Sequence, residues 1–287
     1  MHGYVRPDSL EEALTHLGEQ NFSILSGGTD LYPASATRAA WGEPALEHPL
    51  GPPVLDVSGL DELRDIRVHE DHFELGALVT WSDVCASALP PGFDVLREAA
   101  REIGGQQIQN RGTVIGNLCN ASPAADGIPA LLVLDASVRL ASQHGTRVLS
   151  LEQFVLGNRK TALMPGEMVI SVLIPRPPAH ARSTFLKLGA RRYLVISIAM
   201  IAVYVELVDD HIANARIAVG ACSEVAARLL SLESRLAGRH GNDAARLVSD
   251  SDFAHLAPQD DARARAWYRR EAAATLVQRA LAEVCGS

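Results

Sequence analysis

Residues 113–126, TVIGNLCNASPAAD, constrain this chain more than any other stretch. They show no hydrophobic periodicity, so neither an ordinary strand nor an ordinary helix is expected there. Gly, Asn, Ser and Asp instead bring backbone close to a ligand or cap a helix. An apolar run over 128–134 follows directly and is expected to be buried. A small polar loop running into a core element is where an α/β protein often holds a phosphate or a sugar.

A second turn has a related character. The short apolar strand Ser23-Ile24-Leu25 stops abruptly at Ser26-Gly27-Gly28-Thr29-Asp30-Leu31. Two adjacent glycines let amide N–H groups converge without Cβ obstruction, which makes an anion-binding nest, although a plain tight turn reads the same way. The turn is neither a Walker A loop nor a GxGxxG fingerprint. Two nests about eighty residues apart, with Asp126 closing the second, suit a molecule carrying a pyrophosphate and a ribose. Thr29, Thr113 and Asn117 would add side-chain hydrogen bonds. Asp126 either meets sugar hydroxyls or a ring edge, or caps the helix beginning near Ile128.

At 287 residues the chain has room for two or three domains. Asp8 or Ser9 starts a helix that ends near Gly18. Residues 37–53 read as a loop. Residues 66–68 and 72–77 form one hairpin, 136–141 and 146–149 another, with helices over 81–89 and 93–103 between them. A strand over 167–174 closes at the Pro-rich patch 175–178, the best candidate for a domain boundary. Three or four mostly antiparallel strands and then helices over 223–236, 243–248 and 260–284 complete the chain. In the last helix Trp267, Leu276, Val277 and Leu281 are expected in the core, with Arg263, Arg265, Arg269, Arg270 and Arg279 left in solvent.

Several function classes are disfavoured. A net charge of −8 gives no general pull toward nucleic acid or an anionic membrane. Cys85, Cys119, Cys222 and Cys285 lie far apart with no CxxC pair, so no metal or iron–sulfur centre is expected within the chain, and reduced cytoplasmic thiols are. The opening residues lack the pattern of a signal peptide. The apolar stretch 193–208 falls short of the ~20 residues of a membrane span and reads as buried strand. No GxSxG elbow or HExxH motif occurs, and His69, His72 and His144 read as isolated surface histidines. Cys119 has no neighbouring His or Lys to activate it and reads as a small buried residue.

At these same turns the chain resembles a known family. Ser26-Gly27-Gly28-Thr29-Asp30-Leu31 is similar to the A-G-G-T-D-L motif of the FAD-binding (medium) subunits of molybdenum hydroxylases, the xanthine dehydrogenase and carbon monoxide dehydrogenase relatives. Gln109-Asn110-Arg111-Gly112-Thr113-Val114-Ile115-Gly116-Asn117, continuing to Ser122-Pro123-Ala124-Ala125-Asp126, resembles their R-N-x-G-T-x-G-G-N and S-P-A-A-D motifs. Tyr4-Val5-Arg6-Pro7 resembles the family's opening, and Lys187-Leu188-Gly189 and Tyr268-Arg269-Arg270 its C-terminal portion.

The resemblance implies an α+β protein: a two-subdomain FAD-binding fold of the vanillyl-alcohol-oxidase (PCMH) type over 1–57 and 58–177, followed by a C-terminal antiparallel sheet with helices over 178–287. It implies that Leu25, Ser26, Gly27, Gly28, Thr29, Asp30 and Leu31, with Thr113, Gly116 and Asn117, hold the FAD pyrophosphate. Ile103 and Gly104 would line the cleft, Asp126 would meet the polar part of FAD, and Ile170 and Lys187 would lie near the adenine or isoalloxazine. No residue of the chain is assigned as catalytic, since FAD carries the electron chemistry.

The implied role is the flavin subunit of a cytoplasmic molybdenum hydroxylase or dehydrogenase. Its implied partners are a molybdopterin-binding large subunit and a 2Fe–2S small subunit, whose clusters feed electrons through FAD to an external acceptor. A stand-alone FAD oxidoreductase, or a non-enzymatic assembly protein that has lost FAD, are the alternatives. Two positions depart from the motif. Gln109 replaces a frequent Arg, and Ile115 stands at the first glycine of the G-G-N pair, where a β-branched residue resists positive φ and could obstruct the pyrophosphate. FAD binding is expected to be retained because Gly116, Asn117 and Asp126 persist.

Overall fold

The computed structural model describes residues 3–33 and 53–286, so most of the loop expected over 37–53 lies outside the described residues. The Ser9 hydroxyl accepts the Glu12 N–H at 3.2 Å and opens a helix, Leu10–Glu19, whose Ala13 and Leu17 are buried. This helix leads from β1 (Tyr4–Val5) to β2 (Ser23–Leu25), the two strands that flank β3 (Val54–Asp56) in a small parallel sheet. The Ser26–Leu31 turn therefore leaves the carboxyl end of a parallel strand, the usual ligand end of such sheets.

The middle of the chain builds a five-stranded antiparallel sheet. Its members are β4 (Ile66–Val68), β5 (His72–Gly76), β6 (Ser137–Ser142), β7 (Gly145–Ser150) and, after the short pair β8 (Val155–Gly157) and β9 (Lys160–Thr161), β10 (Met168–Pro175). The order is β4-β5-β10-β6-β7, and both expected hairpins are present. Between β5 and β6 lie the helices Trp81–Ala86, Asp94–Glu102, Gln106–Gln109, Val114–Asn120 and Gly127–Val133. Thr80 and Asp83 form a capping box that starts the first of these.

The TVIGNLCNASPAAD stretch departs from expectation, because Val114–Asn120 is a helix. Thr113 caps it, and Val114, Ile115 and Leu118 are buried on one side. At seven residues it is too short to display a helical period in the sequence. Ile115 consequently has helical rather than positive φ, is absent from the positive-φ residues, and packs into the core. The feared backbone strain does not arise. The next helix, Gly127–Val133, is buried at every position, which explains its unbroken apolar run.

The C-terminal sheet runs in chain order through β11 (Ala181–Leu188), β12 (Ala199–Val208), β13 (His211–Gly220) and β14 (Ala227–Arg228), all antiparallel. Met200, Ala202, Tyr204 and Ala218 face the core shared with the preceding sheets. Ala199, Ile201, Val203, Ile217 and Val219 face the long helix Ala266–Cys285. Burial on both faces accounts for the continuous apolar run of β12. Residues Tyr193, Leu194 and Ile196, expected within that strand, are instead exposed in the loop before it.

The last helix corrects two further expectations. Trp267 is 66% exposed, whereas Arg269 is 3% exposed. Arg269 lies four residues before Ala273, on the same face as Leu276, Val277, Ala280 and Leu281, so helical geometry carries it into the core. The helix expected over 223–236 is shortened to Leu230–Leu236 because Ala227–Arg228 pairs with β13. That expected over 243–248 is a 3₁₀ segment, Gly241–Leu247. Among the described residues, no helix is long and apolar enough to cross a membrane.

Candidate cofactor-binding cleft

The two glycine-containing turns meet. A Cβ on Gly27 would stand 1.9 Å from the Arg111 carbonyl oxygen and 3.1 Å from Gly112 Cα, so only glycine lets these backbones pass. Gly28 has φ +73°, the left-handed region that a side chain would strain. Ser26 Oγ lies 3.4 Å from Thr113 Oγ1, and Thr113 Oγ1 also accepts the Gly116 N–H at 2.9 Å. Among the described residues, the N–H groups of Gly27, Gly28 and Thr29 donate to no protein acceptor, which leaves them available to an anion.

Below these turns opens a cleft of about 1330 Å³. Its lining brings together Leu25, Ser26, Gly27, Gly28, Thr29, Asp30, Leu31, Ile103, Gly104, Thr113, Gly116, Asn117, Asp126 and Lys187. Ile170 is the exception among the residues expected there. The β10–β6 pairing shifts register between Val169 and Ser171, so Ile170 is the extra residue of a bulge. Met168 and Val169 take the cleft wall instead, while the Ile170 carbonyl accepts the Ala77 N–H at 3.0 Å.

At one end of the cleft sits a buried polar cluster. Asp126 accepts from Lys187 Nζ at 2.7 Å and from Ser197 Oγ at 2.5 Å, and Lys187 also donates to the Glu102 carbonyl at 3.2 Å. Burial pushes the Asp126 carboxyl above its ordinary value, and Lys187 and Ser197 pull it back toward the ionised form. Asp126 precedes Gly127–Val133 without capping it through its side chain, so its ordering serves the Lys187 contact. Asn117 Oδ1 is buried with no hydrogen-bond partner in the described structure.

Nearer the turns, Asp30 accepts from Asn120 Nδ2 at 2.9 Å, and Asn120 Oδ1 accepts from Arg159 at 2.8 Å. Burial raises the Asp30 carboxyl, with Arg159 opposing the shift. Burial likewise pushes the Cys119 thiol up to about 12, which favours the thiol over the thiolate, while the residue itself is half-buried and lines the cleft.

Sequence reasoning missed several of these groups. Ser197 sits in an apolar stretch that gives no hint of a carboxylate partner. Asn158 and Arg159 reach the cleft from the β8–β9 turn, where Arg159 has φ +54°. Arg269 donates to the Ile198 and Ala221 carbonyls at 2.7 and 3.0 Å and to Asp261 at 2.7 Å. It thereby ties the loop before β12, the end of β13 and the loop before the last helix into one side of the cleft. Its four-residue offset from the apolar stripe was the signal available.

Comparison with known proteins agrees with this geometry. Residues 1–177 match the family described as FAD binding domain in molybdopterin dehydrogenase, and residues 184–284 match the CO dehydrogenase flavoprotein C-terminal domain. The nicotinate dehydrogenase FAD-subunit of Eubacterium barkeri is 37% identical over 202 residues, 68% of this chain and 65% of that protein. The glyceraldehyde dehydrogenase medium chain of Sulfolobus acidocaldarius is 29% identical over 285 residues, 98% of this chain and 97% of that protein. A structure of reconstituted CO dehydrogenase from Oligotropha carboxidovorans contains a chain that superposes with a TM-score of 0.88 at 25% identity, covering 99% of this chain and 98% of that one. With the matches spanning both portions of the chain, it belongs to the FAD-binding medium-subunit family of molybdopterin dehydrogenases.

Proposed function

We propose that this chain is the flavin subunit of a molybdenum-containing hydroxylase or dehydrogenase. It would work with a molybdopterin-binding large subunit and a 2Fe–2S small subunit, in the cytoplasm. The same reading divides the chain at 1–57, 58–177 and 178–287. The observation that carries it is the contact of Gly27 with the Arg111 carbonyl, which turns two distant loops into one clasp over a large cleft.

The residues present fit FAD. The cleft exceeds the ~300–1,000 Å³ of ordinary small-molecule pockets, as an elongated dinucleotide requires. The free N–H groups of Gly27, Gly28 and Thr29 and the hydroxyls of Ser26, Thr29 and Thr113 are donors suited to pyrophosphate oxygens. The orphaned Asn117 Oδ1 is an acceptor suited to a ligand N–H or O–H. The Asp126–Lys187–Ser197 cluster presents a fixed charge pair to the polar part of the cofactor. When bound, the flavin would supply the redox chemistry that links a partner's clusters to an external acceptor. The chain itself would bind, orient and shield the cofactor, since the acid and base that line the cleft together, Asp126 and Lys187, are engaged with each other and with Ser197.

The test is to purify the chain alone and record its visible absorption before and after incubation with FAD. Flavin bands in the purified or reconstituted protein support the reading. A folded protein that stays colourless after incubation overturns it. A bound flavin that a small substrate reduces without partner subunits would show a stand-alone oxidoreductase instead.

A further inference from the structure

The β4–β5 hairpin forms the outer edge of the five-stranded sheet and contributes a cluster that the flavin reading leaves unused. His69, His72 and Glu74 each offer one ligand atom, and the three atoms lie within 4.8 Å of one another. None of the three lines the cleft. Along β5, Phe73 and Leu75 point into the core, so His72 and Glu74 share the opposite face. The hairpin then brings His69 across: its N–H donates to the His72 carbonyl at 2.9 Å, and the two rings stack with centroids 4.3 Å apart. Two histidines that read as isolated in the sequence are neighbours in the fold.

The environment of His72 points to a ligand. Its Nδ1 lies 2.7 Å from Asp71 Oδ1, a contact that assigns the Nδ1–H as donor to the carboxylate, so that the neutral imidazole carries its lone pair on Nε2. That Nε2 is buried and has no hydrogen-bond partner among the described residues. A carboxylate orienting the far nitrogen of an otherwise unused imidazole is the arrangement that metal-binding histidines adopt.

Glu74 is buried, with Oε1 held by Arg139 at 2.6 Å and Oε2 lying 3.3 Å from His69 Nε2. The turn is also fixed from below: Arg176 donates to the His69 and Glu70 carbonyls at 2.5 and 2.9 Å. Ligands on a braced turn lose little freedom when they close on an ion.

We propose that His69, His72 and Glu74 form a binding site for a divalent transition-metal ion of the zinc class, with Asp71 orienting His72 and water completing the coordination. Two imidazoles and one carboxylate suit zinc and its cobalt surrogate, whereas calcium and magnesium prefer all-oxygen shells. Metal–nitrogen bonds of ~2.0–2.1 Å in a tetrahedral shell set ligand atoms ~3.3 Å apart, so a spread of up to 4.8 Å must close by up to roughly 1.5 Å, and the half-exposed His69 ring must turn out of its stack on His72 to aim its lone pair at the ion. The Arg139 charge beside Glu74 opposes a cation and sets the site weaker than a structural zinc centre. An ion there pins the edge strand β4 to β5 across the turn.

The experiment uses the full chain, freed of any affinity tag and stripped with chelator. Zn²⁺ is titrated calorimetrically, and Co²⁺ is followed by visible absorption. The wild-type protein is expected to bind one equivalent of Zn²⁺. His69→Ala and His72→Ala should each weaken binding by at least ~10-fold, and Asp71→Asn by roughly 10-fold. Co²⁺ should give d–d bands of a nitrogen and oxygen site without a thiolate charge-transfer band. Unchanged flavin content and circular dichroism in the variants establish that they fold. The proposal is overturned if the wild type binds no Zn²⁺, if both histidine variants bind as tightly as wild type, or if the Co²⁺ spectrum reports cysteine ligation.

Discussion

Replacing Gly27 with alanine tests whether the two glycine turns act as one clasp. The new Cβ would start 1.9 Å from the Arg111 carbonyl oxygen, a backbone atom that no side-chain rotation can move aside. Non-bonded heavy atoms settle near ~3.5 Å, so the turns must separate by about 1.5 Å. The Ser26–Thr113 contact is already at 3.4 Å and would be lost. The Gly27–Thr29 N–H groups would move by a similar amount from the position that suits a shared anion. Losing one hydrogen bond to a charged group costs roughly 2 kcal/mol, or about a 30-fold weaker Kd for FAD. Overpacking alone would lower stability by ~1–3 kcal/mol. The assay is titration of deflavinated protein with FAD, read by flavin fluorescence, alongside a urea unfolding curve for the apoprotein. If folded Gly27→Ala binds FAD within ~3-fold of wild type, the close approach of the two turns is not what forms the site.

Three further outcomes follow from the geometry. Asp126→Asn leaves the buried Lys187 ammonium without its partner and should cost ~3 kcal/mol of apoprotein stability by urea unfolding, with much of the loss recovered when Lys187→Met is added. Arg269→Met removes the link from the last helix to Ile198, Ala221 and Asp261; we expect a loss of about 3 kcal/mol and weaker FAD binding, and a change below ~1 kcal/mol would show that the link is dispensable. Arg147 engages both carboxylate oxygens of Glu167, at 2.7 and 2.8 Å, and this hydrogen-bonded pairing holds the Glu167 carboxyl below its ordinary value. Protonation therefore favours the unfolded chain, so this contribution is present above the unfolded value of ~4.3 and fades as pH falls through the depressed folded value. Glu167→Gln should flatten the pH dependence of the urea midpoint over that acid range, and an unchanged slope would refute the assignment.

Much of the candidate site was legible in the sequence. Glycine pairs, short hydroxyl residues and an aspartate before an apolar run carry their chemistry in their identity, and the structure gathers nearly all of them into one cleft. The failures have local causes. Val114–Asn120 is a helix too short to reveal its period, and its capping by Thr113 is what relieves Ile115 of any strain. Ile170 leaves the cleft because a bulge resets the alternation of β10, and the alternation alone cannot disclose a bulge. Tyr193 and Leu194 read as strand because their residue types favour it, yet they sit exposed at the edge of the core.

By itself the sequence determined the hairpins, the longer helices and which turns could receive an anion, because these depend on residues close together in the chain. Tertiary structure decided which distant groups meet. It set the Gly27 backbone against Arg111, brought Lys187 and Ser197 to Asp126, and carried Arg269 from an apparently solvated helix into the cleft wall. It also joined His69 and His72 to Glu74 across a hairpin. Such pairings depend on strand register and helix rotation, which are settled by packing the whole core at once.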